Sequence, residues 1–332
     1  MTNEVRDFYD RFPYPLATVK SAYDLRGAAI LRLLDFELRA ARPANRRILD
    51  VGCGTGHRIL DVARSYPDAH IRAFDLSRKS IDLARRQAQQ DGICNITFEV
   101  GDITRFECEE RFDIVIANGV LHHLADPHSA ARRLSGLVND TGFLYAFLVH
   151  SYGEHEKLLQ RDLLLTLLGA QRSSHDAGLA LLRDMGYGIT SGRYGERLSE
   201  DLDAVDMLSR DADSLLNPIH AALKFDEALE LLCGTGLDWA EIDRVFWEGG
   251  GAALDLAGSS SLPFPVFTLD GRLDSRLARD YYERLDTAAK LHVVELLAKP
   301  TGFLLLAGTQ RSVLLSSKRI VGNAIALSAD AS

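Results

Sequence analysis

One stretch, Ile48-Leu49-Asp50-Val51-Gly52-Cys53-Gly54-Thr55-Gly56, limits the folds open to this chain more than any other. An apolar run suited to a buried strand passes directly into a Gly-x-Gly-x-Gly turn, and a helical pattern begins near His57. So tight a turn requires residues without a Cβ, which lets backbone N–H groups and the start of the next helix approach a ligand closely. The spacing differs from the dinucleotide fingerprint Gly-x-Gly-x-x-Gly, and Asp50 stands at the strand end. A carboxylate there repels a pyrophosphate and attracts an ammonium or sulfonium. The expected ligand is cationic at that end.

The surrounding sequence repeats the same alternation. Strands are expected at Arg47–Val51, Ile71–Phe74, Ile96–Val100, Asp113–Ala117 and Phe143–Val149, with helices between them, the pattern of βαβ units in a mostly parallel sheet. Gly27–Ala41, with Ile30, Leu31, Leu34 and Leu38 on one face, reads as an amphipathic helix stopping ahead of Pro43. Asp126-Pro127 is an N-cap and first-turn pair whose helix would bury Ala130, Leu134, Leu137 and Val138. Beyond His150 the pattern turns helical: Lys157–Gly169, Asp176–Gly186, Ser199–Ser209 and, after an Asp226 cap, Glu227–Cys233. A strand is expected at Leu237–Trp247, then a Gly- and Ser-rich loop containing Pro263 and Pro265. An Asp274-capped helix striped by Leu277, Tyr281, Leu285 and Ala288 follows, and a last strand at Gly302–Thr309. The expected organisation is an N-terminal cap over 1–45, a ligand-binding core over 46–150 and a helical insertion over 151–235. The last core strands with a second insertion occupy 236–316, and a tail that frays lies beyond Ser316.

Acids recur at the strand ends. Asp75, in Phe74-Asp75-Leu76-Ser77, is placed to accept both hydroxyls of a ribose. Asp102, in Gly101-Asp102-Ile103, suits an exocyclic adenine amine, with Leu76 and Ile103 available to sandwich the ring. Asn118-Gly119-Val120-Leu121-His122-His123-Leu124 closes the fourth strand beside the proposed cation. Four consecutive strand ends face one crevice, where open α/β sheets bind ligands.

With these motifs in this order, the chain resembles a class I S-adenosylmethionine-dependent methyltransferase over about Arg46 to His150. The resemblance implies an α/β, Rossmann-like, seven-stranded, mostly parallel sheet with helices on both faces and an antiparallel final strand, here Gly302–Thr309. Helical insertions occupy the C-terminal half. It implies S-adenosylmethionine lying across Gly52, Gly54, Asp75, Asp102 and Asn118, with Asp50, Gly56, Leu76 and Ile103 alongside. Phe8-Tyr9-Asp10-Arg11-Phe12-Pro13-Tyr14-Pro15 resembles the aromatic, proline-ended leader of some such enzymes, a lid that would bring Tyr9 and Tyr14 to the cofactor. Aromatic faces near a sulfonium add cation–π attraction. The plainer expectation is that Phe8 and Phe12, four residues apart, are one helix face packed on the core.

Methyl transfer needs alignment more than a base. Where the acceptor must lose a proton, His122, His123 and His155 are candidates, as is His150. Tyr152, Glu154 and His155 either line the acceptor pocket or merely start a helix. Glu154, His155 and Glu156 have no second ligand set at metal-binding spacing, so no metal is expected. Arg183, Arg193 and Arg197 read as solvated surface, and Ser259-Ser260-Ser261 lacks the hydrolase Gly-x-Ser-x-Gly elbow.

Composition narrows the partners. The 38 Lys and Arg against 47 Asp and Glu leave a net charge of −9, which argues against a nucleic-acid partner. Four scattered cysteines without a CxxC pair point to free thiols. With no secretory pattern and no bilayer-spanning apolar run, the expectation is a cytoplasmic protein without a membrane partner. The expected acceptor is a small metabolite or natural-product intermediate, with a protein or peptide as the alternative. A nicotinamide oxidoreductase and a non-catalytic cofactor-binding scaffold are the rivals from other classes.

Overall fold

A computed structural model describes residues 3–15, 31, 34–38, 45–186, 204–247, 250–258, 262 and 264–328. Among these, the strands are β1 (Arg47–Val51), β2 (His70–Asp75), β3 (Ile96–Val100), β4 (Phe112–Asn118), β5 (Val138–Val149), β6 (Trp239–Trp247), β7 (Gly250–Ala253), β8 (Gly302–Gly308) and β9 (Ile325–Ala326). They form one sheet in the order β3-β2-β1-β4-β5-β8-β6-β7, with β9 paired to β6. Strands β1 to β5 are parallel, and β8 runs antiparallel to both β5 and β6. The seven-stranded Rossmann-like sheet is therefore present, and β7 and β9 extend it at the β6 edge.

The helices are α1 (Asn3–Arg11), α2 (His57–Ser65), α3 (Arg78–Gln90), α4 (Pro127–Ser135), α5 (His155–Leu168), α6 (His175–Asp184), α7 (Ala204–Leu215), α8 (Phe225–Glu230), α9 (Arg276–Glu283), α10 (Thr287–Ala298), α11 (Gln310–Leu314) and α12 (Lys318–Asn323). None of the described helices is long and apolar enough to cross a membrane.

Alternation along the strands divides the core in two. Leu49, Val51, Val115, Ala117, Leu144 and Ala146 face one layer, which packs on α4, α8 and α10. Ile48, Ile114, Ile116, Phe143 and Tyr145 face the other, with Ile59, Leu60, Ile81 and Ala84 of α2 and α3. A strand buried on both faces can be apolar at every position, which is why β1 reads as a continuous run. A third, smaller cluster joins Phe8 and Phe12 to Leu164, Leu168, Leu179, Leu182, Ala212, Leu215 and Leu216 of α5 to α7.

Several expectations are corrected. Asp126 caps α4 through Ser129 N–H, but that helix ends at Ser135, and Val138 opens β5. Asp226 lies inside the first turn of α8, whose N-cap is Lys224, with Glu227 accepting the Lys224 N–H at 2.7 Å. The single helix expected after Asp274 is two, because Asp286 caps a fresh start. Its stripe does not face the core: Leu277 and Tyr281 are 65% and 62% exposed, and Tyr282, Leu291 and Val294 are buried instead. Within the stretch expected to fray, Lys318–Asn323 and Ile325–Ala326 form α12 and β9. Leu31, Leu34 and Leu38 are buried as expected. Ile30, the start of Ser199–Ser209, Arg193, Arg197, Ser259-Ser260-Ser261 and Pro263 lie outside the described residues.

Candidate active site

The parallel strands deliver their C-terminal ends to one edge, and the glycine turn is clipped onto its neighbour there. Gly52 and Cys53 N–H donate to the Phe74 carbonyl at 2.8 and 3.0 Å. The Asp75 carboxylate accepts Gly54 N–H at 2.9 Å on one oxygen and Ser77 N–H at 2.8 Å on the other. Burial pushes Asp75 up to about 6, against the pull of those two N–H groups. Burial pushes Asp50, 5% exposed, up to about 7, with the Arg58 charge opposing and Asp75 adding to the rise. Two acids held in a dry site at adjacent strand ends have an electrostatic deficit that a bound cation corrects. Asp102 accepts the Thr104 N–H and hydroxyl at 2.9 and 2.8 Å; partial burial raises its pKa, but these bonds leave it below the usual carboxylate range. Leu76 and Ile103 are buried nearby in sequence, and Asn118 ends β4.

The leader reaches this edge. Thr55 N–H donates to the Tyr14 carbonyl at 3.3 Å, and its hydroxyl donates to the Pro15 carbonyl. A Cβ on Gly54 would lie 2.0 Å from the Tyr14 oxygen, and its φ of +56° also favours glycine. The missing side chain at Gly54 thus makes room for the leader. Ser77, the N-cap of α3, donates its hydroxyl to Asp10 at 2.7 Å. Tyr9 donates its hydroxyl to Asp213 at 2.8 Å and accepts from the Asn217 amide at 2.9 Å. Burial and the Asp213 charge raise the Tyr9 pKa well above its ordinary value. Phe8 and Phe12 do form a packed helix face, but on α5 to α7 and not on the sheet.

At the end of β4, His122 and His123 form a short 3₁₀ turn and are 4% and 3% exposed. Nδ1 of His123 lies 2.7 Å from the Ile219 carbonyl, to which it donates. Nε2 is 3.7 Å from Asp213. The loop after α7 brings His220 against both, with ring centroids 5.7 Å from His122 and 5.3 Å from His123. Burial lowers His122 well below its ordinary pKa and takes His220 down to about 2; both are neutral imidazoles.

The other histidines fall elsewhere. His155 is exposed at the first position of α5, and the preceding Glu154 pairs with Lys157 at 2.6 Å, a helix start. His150 is wholly buried, accepts the Tyr152 N–H on Nδ1 at 3.1 Å and donates from Nε2 to Glu295 at 2.8 Å. That pairing ties β5 to α10. Arg183 is exposed, as expected of solvated surface. Asp10, Ser77, Asp213, Asn217 and His220 join the site without having been singled out in the sequence. The Asn217-Pro218 pair signals a turn, but no local pattern places that turn beside β4.

Residues 43–164 match the family model of a methyltransferase domain. An uncharacterized protein of Synechococcus sp. is 26% identical over 260 residues, covering 75% of this chain and 62% of its own. The malonyl-[acyl-carrier protein] O-methyltransferase of Halalkalibacterium halodurans is 32% identical over 119 residues, covering 35% of this chain and 43% of its own. Among solved structures, PKMT2 from Rickettsia typhi superposes with a TM-score of 0.60 over 90% of this chain and 55% of its own, at 18% identity, which shows a shared fold. The chain spans less than two thirds of the length of each of these relatives.

Proposed function

We propose that this chain, which carries a class I S-adenosylmethionine-dependent methyltransferase domain, moves the methyl group of that cofactor to a small-molecule acceptor. The observation that carries the reading is the pair of desolvated acids, Asp50 and Asp75, at the ends of adjacent parallel strands around a glycine turn. Asp75 takes the ribose, Asp50 favours the cationic amino-acid end, and Gly52, Gly54 and Gly56 give the backbone approach. Asp102, Leu76, Ile103 and Asn118 receive the adenine and the sulfonium side, and Tyr9 and Tyr14 close the leader over them. Bound there, S-adenosylmethionine would supply an activated methyl group on sulfur, and these residues would hold that donor end in line with the acceptor. Alignment and exclusion of water supply most of the acceleration.

Enclosure supports a small acceptor. The polar groups beyond the strand ends, His122, His123 and Asn217, are at most 4% exposed, whereas a protein substrate calls for an open groove. The test is incubation with methyl-labelled cofactor and fractionated cell extract. Label is expected in the small-molecule fraction with release of S-adenosylhomocysteine. Label in protein would make the acceptor a polypeptide. Nicotinamide binding without S-adenosylmethionine binding would replace the reading with an oxidoreductase, and cofactor binding with no transfer would leave a scaffold.

A further inference from the structure

We propose that His122, His123 and His220 form a binding site for one divalent transition-metal ion of the zinc class, at the end of β4. Each offers one ring nitrogen, and these three atoms lie within 4.8 Å of one another. Three points so spaced share a position no more than about 2.8 Å from each, against about 2.0–2.1 Å for a zinc–imidazole bond, so closure takes roughly 0.7 Å per ring.

The hydrogen bonding of the cluster is arranged for a cation. Nδ1 of His122, on a side chain 4% exposed, has no hydrogen-bond partner, and neither does either ring nitrogen of His220. A buried polar nitrogen without a partner is destabilising, and here three such atoms converge. His123 is oriented as a metal-ligating histidine usually is, one ring N–H donated to a backbone carbonyl and the other nitrogen free to ligate. Its Nε2 lies 3.7 Å from the Asp213 carboxylate, whose negative charge favours a cation at this point. Asp213 is itself held by Tyr9 and Asn217, the orienting layer such a site needs. Two basic groups, Arg161 and Lys157, act on His220 from α5. Both oppose a cation there; Arg161 donates from Nη2 to the Asn217 carbonyl at 2.6 Å and Lys157 pairs with Glu154, so each charge is shared with an acceptor.

Three imidazoles fill three positions of a tetrahedral ion and leave the fourth for water or for an oxygen or nitrogen of the acceptor. The loop carrying His220 is pinned by Ala221 N–H to the His122 carbonyl at 2.9 Å, so the ligands come from two elements locked together. The site does not depend on methyl transfer. Its occupancy is read by spectroscopy, so it stands or falls apart from the proposed activity.

The test uses the full chain, free of any affinity tag and stripped with chelator, titrated with cobalt(II) and, in competition, zinc. One equivalent of cobalt with ligand-field bands of a four-coordinate ion is expected, displaced by zinc. His220→Ala and His123→Ala should each weaken binding by about a hundredfold or more. His220→Gln, which keeps a polar side chain of similar length in place of the ring, should do the same while leaving the chelator-treated unfolding midpoint in place. Absence of ligand-field bands overturns the site, as does cobalt affinity unchanged in His220→Ala. Protection of these residues by malonate or phosphate without cobalt binding would make the cluster an anion site and equally overturn it.

Discussion

At the scale of single residues the decisive groups are acids in a dry place. Asp75→Ala removes the carboxylate that joins Gly54 to Ser77 and should weaken S-adenosylmethionine binding by roughly 1.5–3 kcal/mol, measured by calorimetry. Asp50 gives a pH test. Its folded pKa of about 7 exceeds its unfolded value of 3.8, so the folded chain binds more protons and loses stability as pH rises between them. Ligand-free Asp50→Asn should therefore gain stability over the wild type at pH 8, on the order of 4 kcal/mol, and the gain should vanish below pH 4. Cofactor affinity should fall in the same variant. In the wild type it should fall as pH drops through about 7, where the carboxylate that attracts the cation is neutralised. The acids were legible because each follows a strand in the sequence. His220 and Asp213 were not, since a residue's neighbours across the chain leave no trace in its own local pattern.

The leader is the element whose reading changed most. Helix α1 has two faces with different partners. Phe8 and Phe12 bury themselves among α5 to α7, and Tyr9, Asp10 and the Tyr14 carbonyl address the site. Gly54→Ala places a Cβ against the Tyr14 oxygen at a φ that disfavours alanine. It should release the leader to limited proteolysis and lower cofactor affinity at least tenfold, about 1.4 kcal/mol. Tyr9→Phe, which leaves the packing and removes one hydroxyl, should cost about 1 kcal/mol of stability by denaturant titration. Strands β1 and β3 were readable to the residue for different reasons: β1 is buried from Ile48 to Val51, whereas β3, at the edge of the sheet, buries only Phe98 and was legible from the β-favouring alternation Ile-Thr-Phe-Glu-Val. The helices after Asp274 were misread by a phase: apolar spacing alone favours Leu277 and Tyr281, but the Asp286 cap restarts the helix and turns Tyr282 and Leu291 inward.

Over the whole molecule, the chain's end is tied to its interior by charge. Arg319 of α12 lies 2.6 Å from both Glu37 and Asp243 and 3.8 Å from Glu241, all four side chains at most 5% exposed. Replacing Arg319 with Met strands three buried carboxylates and should cost about 3–5 kcal/mol. The loss should ease as pH falls, because burial holds Glu241 well above the ordinary carboxylate range and it takes up a proton in the folded state first. A melting series from pH 8 to pH 5 checks the sign. No sequence pattern forecast this cluster: Arg319 sits where the composition reads as a tail, and its partners are far apart along the chain. The placement of β8 has a practical corollary. It zips between β5 and β6 along their full facing lengths, though it is written more than a hundred and fifty residues after β5. A piece cut to the 43–164 match would present β5 as a bare, flat, apolar ribbon edge. Such a fragment should clump on expression, and the matched region can be handled alone only if its late-arriving strand is supplied with it.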